Sequence, residues 1–203
     1  MAPKNNFTFD ELNHIYRLDG QVIPSVTQIL QEEGITDYSY CDDSDKEFGK
    51  AGHLTTELWD KRILDIKTVS DPLIPYLNGY KRFIKECKVK IIREWIEKPT
   101  YSLKWRYGVK PDRLAKVNNK LTVYEIKFST STNPGTAIQT AAQKIAIEEQ
   151  TKLKIKQRLE VRLLPDDYKL EYYNRLSDER IWLSAVILNQ FKKENGLNGN
   201  HRH

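Results

Sequence analysis

The chain has 203 residues, 39% hydrophobic and 30% charged, a balance that suits one globular domain with a substantial core. Net charge is +5 and the pI about 9.0, a mild lean toward a polyanionic partner that many proteins without one share. Cys41 and Cys87 are too few for a four-cysteine zinc or iron–sulfur site, and no signal-peptide core or membrane-length apolar run is present, so the expectation is a cytoplasmic protein with no membrane partner.

In chain order, residues 1–6 are polar, and Phe7–Asp10 and His14–Ile23 read as strands around Asp19-Gly20, a hairpin turn signal. Pro24-Ser25 opens a helix with Ser25 as N-cap and Gly34 past its end. From about Lys46 to Leu64, Phe48, Ala51, Leu54 and Leu58 recur at helical spacing, and this helix carries Gly49, His53 and, one turn on, Glu57. Asp71-Pro72 predicts a helix to about Lys88, with Asp71 as its N-cap. Val89–Ile96 reads as a strand, and Tyr101–Trp105 as a further one. Beyond a polar loop at 129–136, an Ala-rich helix from about Ala137 to Gln150 puts Gln139 and Gln143 on one face. Lys154–Leu164 and Lys169–Tyr173 form a second hairpin around Pro165-Asp166-Asp167, and Ser177 begins a final amphipathic helix to about Lys193. The expected class is α/β (α+β), a single domain over 1–203 with a central mixed sheet flanked by helices: an N-terminal hairpin and helix at 1–34, a core at 46–193 and a flexible tail at 194–203.

The stretch from Tyr107 to Thr130 holds the chemistry. It reads as two antiparallel strands joined at Asn118-Asn119, because asparagine tolerates the positive φ that tight hairpins need. Opposed residues then have numbers summing to 237, which sets Asp112 against Glu125, with Lys127 one alternation further on the same face. Opposed side chains lie about 5 Å apart at Cβ and like charges there repel, so a cation between them is expected, Mg²⁺ or Mn²⁺ by the preference of hard ions for carboxylate oxygen.

With Gly49-x-x-x-His53 upstream, Gly108-Val-Lys-Pro-Asp112 and Glu125-Ile-Lys127 in the hairpin, and Gln139-x-x-x-Gln143 downstream, the chain resembles the PD-(D/E)XK nuclease superfamily, in its RecB-like and phage exonuclease branch. These motifs span about half the chain; the last one departs from relatives, which usually end it in Tyr. The resemblance implies a restriction-endonuclease-like core and metal-dependent hydrolysis of DNA, with Asp112, Glu125, the backbone carbonyl of Ile126 and His53 as metal ligands. Lys127 would orient or help deprotonate the attacking water, and Gln139 would position the scissile phosphate or Lys127. Glu97 and Gln143 are further candidates. The implied cofactor is Mg²⁺, with Mn²⁺ as an alternative and no iron–sulfur cluster. The implied partner is single- or double-stranded DNA, with a homo-oligomer or a recombination protein as a further partner. The implied role is that of a phage- or prophage-type exonuclease in recombination or DNA processing. An endonuclease on foreign or branched DNA, an RNase, or a non-catalytic DNA-binding protein on the same scaffold remain open.

Blander readings stand beside each residue. A Glu-x-Lys on a strand is more often a solvated face. Lys110, Lys116 or Lys127 could neutralise Asp112, and Lys98 or Lys104 could pair with Glu97. The basic runs Lys81-Arg82, Lys85, Lys88, Lys90, Arg93 and Lys152, Lys154, Lys156, Arg158, Arg162 read as solvated faces or phosphate contacts. Trp105, Tyr107, Tyr38 and Tyr40 read mainly as packing, with base stacking as the alternative.

Overall fold

The structure is a computed structural model that describes residues 5–37, 42–129 and 133–197; Tyr38, Tyr40, Cys41 and most of the expected tail lie outside those residues. Strands β1 (Phe7–Asp10), β2 (Ile15–Leu18) and β3 (Gln21–Ile23) make a small antiparallel sheet, with Asp19 and Gly20 both at positive φ in the turn. Helix α1 (Val26–Glu32) starts with a reciprocal capping box: Ser25 Oγ accepts from Gln28 N and the Gln28 side chain accepts from Ser25 N. Gly34, at φ +67, follows its end as expected.

Helix α2 (Asp43–Lys61) begins a turn earlier than the periodicity predicts, because Asp42 caps it by accepting from Asp45 N. Its buried face also differs. Leu54 is 53% exposed, while Gly52, Thr55 and Thr56 point inward. Gly52 sits so close to Phe128 that a Cβ would fall 2.3 Å from the ring, and Thr56 bonds back to His53 O at 2.9 Å. Two short 3-10 turns lead into α3 (Ile74–Glu86). Ser70, not Asp71, precedes the 3-10 turn that holds Asp71 and Pro72, so the expected Asp71 cap is absent.

Strand β4 (Lys90–Ile96) is followed by a two-stranded pair, β5 (Thr100–Ser102) with β6 (Tyr107–Val109). The strand predicted over Tyr101–Trp105 stops at Ser102, whose Oγ accepts from Trp105 N at 3.1 Å and closes a turn. The hairpin of Asn118 and Asn119 joins β7 (Arg113–Val117) to β8 (Lys120–Lys127), both asparagines having positive φ. Its observed register, Arg113 with Tyr124 and Leu114 with Val123, is the one predicted. Tyr107–Val109 does not belong to it. Pro111 has no N–H to offer a ladder, and the chain breaks there between β6 and β7.

Helix α4 (Gly135–Thr151) crosses from β8 to the parallel strand β9 (Gln157–Leu164), which turns at Pro165-Asp166 into β10 (Asp167–Tyr172). Helix α5 (Leu176–Glu194) completes the order. The central sheet runs β10-β9-β8-β7-β4, mixed because only the β8–β9 junction is parallel. One face packs on α3 through Tyr124, Ile126, Leu159 and Val161 against Tyr80 and Phe83. The other face meets α4 through Leu114 and Val123 against Ile147, and α1, α4 and α5 close over Trp182 and Tyr107. The fold is thus a mixed α/β sheet flanked by helices on both faces.

The expectation about charge needs correction, whereas the packing reading of Trp105 and Tyr107 holds. Arg158 is 4% exposed and bonds Asp178 at 2.6 Å, and Arg162 is bound to buried Glu160 at 2.6 Å, so neither belongs to a solvated basic face. Both lie on the face of β9 opposite the α3 core, where burial demands an ionic partner. Tyr107 is fully buried, its hydroxyl donating to Ala142 O at 2.8 Å, and Trp105 packs against the same core.

Candidate metal centre

Alternation along β8 sends Tyr124 and Ile126 into the α3 core and turns Glu125 and Lys127 toward α4. One step beyond the last ladder pair, Asp112 faces Glu125. Asp112 is 6% exposed; its Oδ2 accepts from Ile126 N at 2.7 Å and lies 3.5 Å from His53 Nδ1. The side chain of α2 therefore reaches the start of β7, in the middle of its helix.

Glu97 reaches the same point by a backbone device. β4 shifts register between Ile91 and Ile96, and Glu97 follows in a left-handed conformation, φ 49. Its N–H donates to Asp112 O at 3.0 Å, so the bulged strand end is tied to the residue it faces. Ligand atoms of His53, Glu97 and Asp112 all lie within 4.8 Å of one another. Glu125 lines the same cleft, of about 550 Å³, with Gly49, Lys50, Glu57 and Lys110. Its oxygens are taken by three donors: Lys127 Nζ at 3.1 Å and Gln139 Nε2 at 3.0 Å on Oε2, and Gln143 Nε2 on Oε1. Gln139 Oε1 in turn accepts from Lys127 at 3.4 Å. Gln143 is fully buried, with its Oε1 unpartnered.

Seven candidate side chains thus gather at one sheet end in two groups. His53, Glu97 and Asp112 converge as a cluster of donors, and Glu125, Lys127, Gln139 and Gln143 form a hydrogen-bonded chain beside it. Ile126 contributes its N–H to Asp112, while its side chain is buried on the opposite face. Glu97, inferred only as a further candidate, is a full member of the donor cluster.

Burial and neighbouring charges set the protonation of the cluster. Burial, then repulsion from Asp112, pushes the Glu97 carboxyl up to about 7. Burial, then Glu125, likewise raises Asp112. Burial and the Lys127 charge hold His53 below its ordinary range, so its imidazole is neutral near pH 7, the form that ligates metal. Two crowded carboxylates with one neutral imidazole are a donor set that could hold a divalent cation.

Sequence reasoning missed Arg113. It is fully buried, and its guanidinium donates to Asp60 Oδ2 at 2.6 Å, to Glu97 Oε1 at 3.0 Å and to Asp112 O at 2.6 Å. Asp60 also accepts from Tyr80 Oη at 2.6 Å. Lys110, 3.4 Å from Glu97, is the second cationic neighbour; Lys98 and Lys104 instead sit over the rings of Trp95 and Trp105. The available signal was adjacency. A residue next to Asp112 on a strand must face the other way, and an arginine aimed at a core requires acids there.

No family model matches the chain, and no curated protein does. Among solved structures it is similar to a protein of Eubacterium rectale named "Putative exonuclease", at 9% identity over 83% of this chain and 73% of that one, TM-score 0.48. It is also similar to an alkaline exonuclease from Laribacter hongkongensis, at 15% identity over 85% of this chain and 90% of that one, TM-score 0.44.

Proposed function

We propose that this protein is a divalent-metal-dependent DNA phosphodiester hydrolase of the PD-(D/E)XK type. The observation that carries the reading is the convergence of His53, Glu97 and Asp112 on one point, beside a Glu125–Lys127–Gln139 chain, at the open end of the sheet. His53, Asp112 and Glu97 would hold the cation, with Glu125 and the Ile126 carbonyl completing its shell. Bound there, it would supply Lewis-acid polarisation of a phosphoryl oxygen and an acidified water.

The chain's own residues account for the rest. Glu125 holds Lys127 through one oxygen, and Gln139 bridges both, so the ammonium is fixed in direction rather than free to sweep. Lys127 then orients the attacking water and donates to a non-bridging phosphate oxygen as negative charge builds on it. Gln143 fixes the other Glu125 oxygen from beneath. Lys46, Lys50 and Lys110 rim the cleft and supply phosphate contacts that position the backbone without reading sequence.

Within this chemistry the favoured role is a phage- or prophage-type exonuclease in recombination or DNA processing, by the resemblance of its ordered motifs. Digestion of end-labelled linear and closed circular DNA with Mg²⁺ or Mn²⁺ tests it. Linear DNA should be degraded while closed circles persist. Nicked circles would instead make it an endonuclease, and activity unaffected by Asp112→Ala or Lys127→Ala would overturn the assignment altogether.

A further inference from the structure

Helix α5 is apolar on two faces. Trp182, Ala185 and Val186 are buried beneath it, as an amphipathic helix requires. Yet Ile181 (45% exposed), Ile187 (53%), Leu188 (46%) and Phe191 (53%) all face outward. At 100° per residue these four occupy one continuous stripe, with the small Ser184 near its midline. A surface of this kind on a folded chain marks a site of association.

The charges beside the stripe say what fits it. Arg180 and Glu194 lie on the same flank, one at each end, and both are exposed. Each is seven residues from Ile187, about 10 Å along the axis. Neither makes an ion pair among the described residues, although Lys192 and Lys193 nearby are paired with Glu33 and Glu32. A two-fold axis perpendicular to two antiparallel helices brings equal flanks together with their ends reversed. A second α5 laid antiparallel across the level of Ile187 therefore sets Arg180 of each copy against Glu194 of the other, while the apolar stripes pack on one another.

We propose that the protein forms a two-fold dimer through α5, with a second copy of this chain as the partner. This inference does not depend on the nuclease reading, since none of these residues touches the His53–Glu97–Asp112 cluster.

Sedimentation across a wide concentration range tests it. Wild type should show a reversible monomer–dimer equilibrium. Ile187→Glu, exposed in the monomer and so compatible with folding (checked by circular dichroism), should sediment as monomer throughout. Arg180→Glu alone should weaken association about tenfold, and Arg180→Glu with Glu194→Arg should restore it. A wild type that stays monomeric at every concentration, including one that binds some other protein through this face, overturns the proposal. So does a dimer that survives Ile187→Glu, or a charge reversal that the double variant fails to rescue.

Discussion

Arg113 organises the site from behind. It donates to Asp60 and Glu97 from a position with no solvent access, so each acid is buried only because the guanidinium is there. Arg113→Ala should cost roughly 3–5 kcal/mol by denaturant unfolding, since it strands two carboxylates. A loss under 1 kcal/mol would mean that the acids find solvent or other partners. The pH response of the metal-free protein follows from Glu97. Its folded carboxyl titrates near 7, above its ordinary 4.5, so the folded state holds a proton that the unfolded chain has released. Stability from this group is present below its unfolded value and is lost as pH rises through about 7. In EDTA the melting temperature should therefore fall between mildly acidic and mildly alkaline pH, and Mn²⁺ should raise it more at the alkaline end. Equal metal stabilisation at both ends would contradict a carboxylate-based site.

At the scale of elements, close approaches set the geometry. Helix α3 lies against the β9–β10 turn at Gly79, where a Cβ would fall 2.2 Å from Asp167 O and 2.8 Å from Leu164 O. Those are backbone atoms that cannot swing aside, so Gly79→Ala should destabilise by about 1–3 kcal/mol despite alanine's better helix propensity. An unchanged or raised melting temperature would refute the packing. The β7–β8 hairpin was legible because its information is local: two asparagines fix the turn, the turn fixes the register, and the register places Asp112 against Glu125. The inward face of α2 was not legible, because Gly52 and Thr56 are buried by what they meet, Phe128 and Arg113, rather than by their own hydrophobicity. The place of Glu97 in the donor cluster was hidden for a similar reason. It depends on a bulge in β4 and a left-handed residue, which alternation cannot announce. Helix α5 failed the other way: expected to be amphipathic, it carries apolar residues on both faces, and that departure locates the proposed dimer contact.

Across the whole molecule, strands β4, β7 and β8 and helices α2 and α4 all deliver side chains to one end of the sheet. The donor cluster and the lysine chain stand side by side there, held by different elements, so they can be disabled separately. Asp112→Asn and Glu97→Gln should impair metal binding and cleavage together. Lys127→Ala should spare metal binding and lower cleavage by roughly 10²–10³-fold, the scale seen when one directed donor to a developing oxyanion is lost. The most direct measurement is cleavage of end-labelled linear DNA, titrated with Mn²⁺, for wild type, Asp112→Asn and Lys127→Ala. Wild type should show saturable metal-dependent cleavage, Asp112→Asn none, and Lys127→Ala a lowered plateau at unchanged metal half-saturation. Cleavage that persists in EDTA, or a wild type inactive with every divalent metal, would rule out a metal-dependent hydrolase.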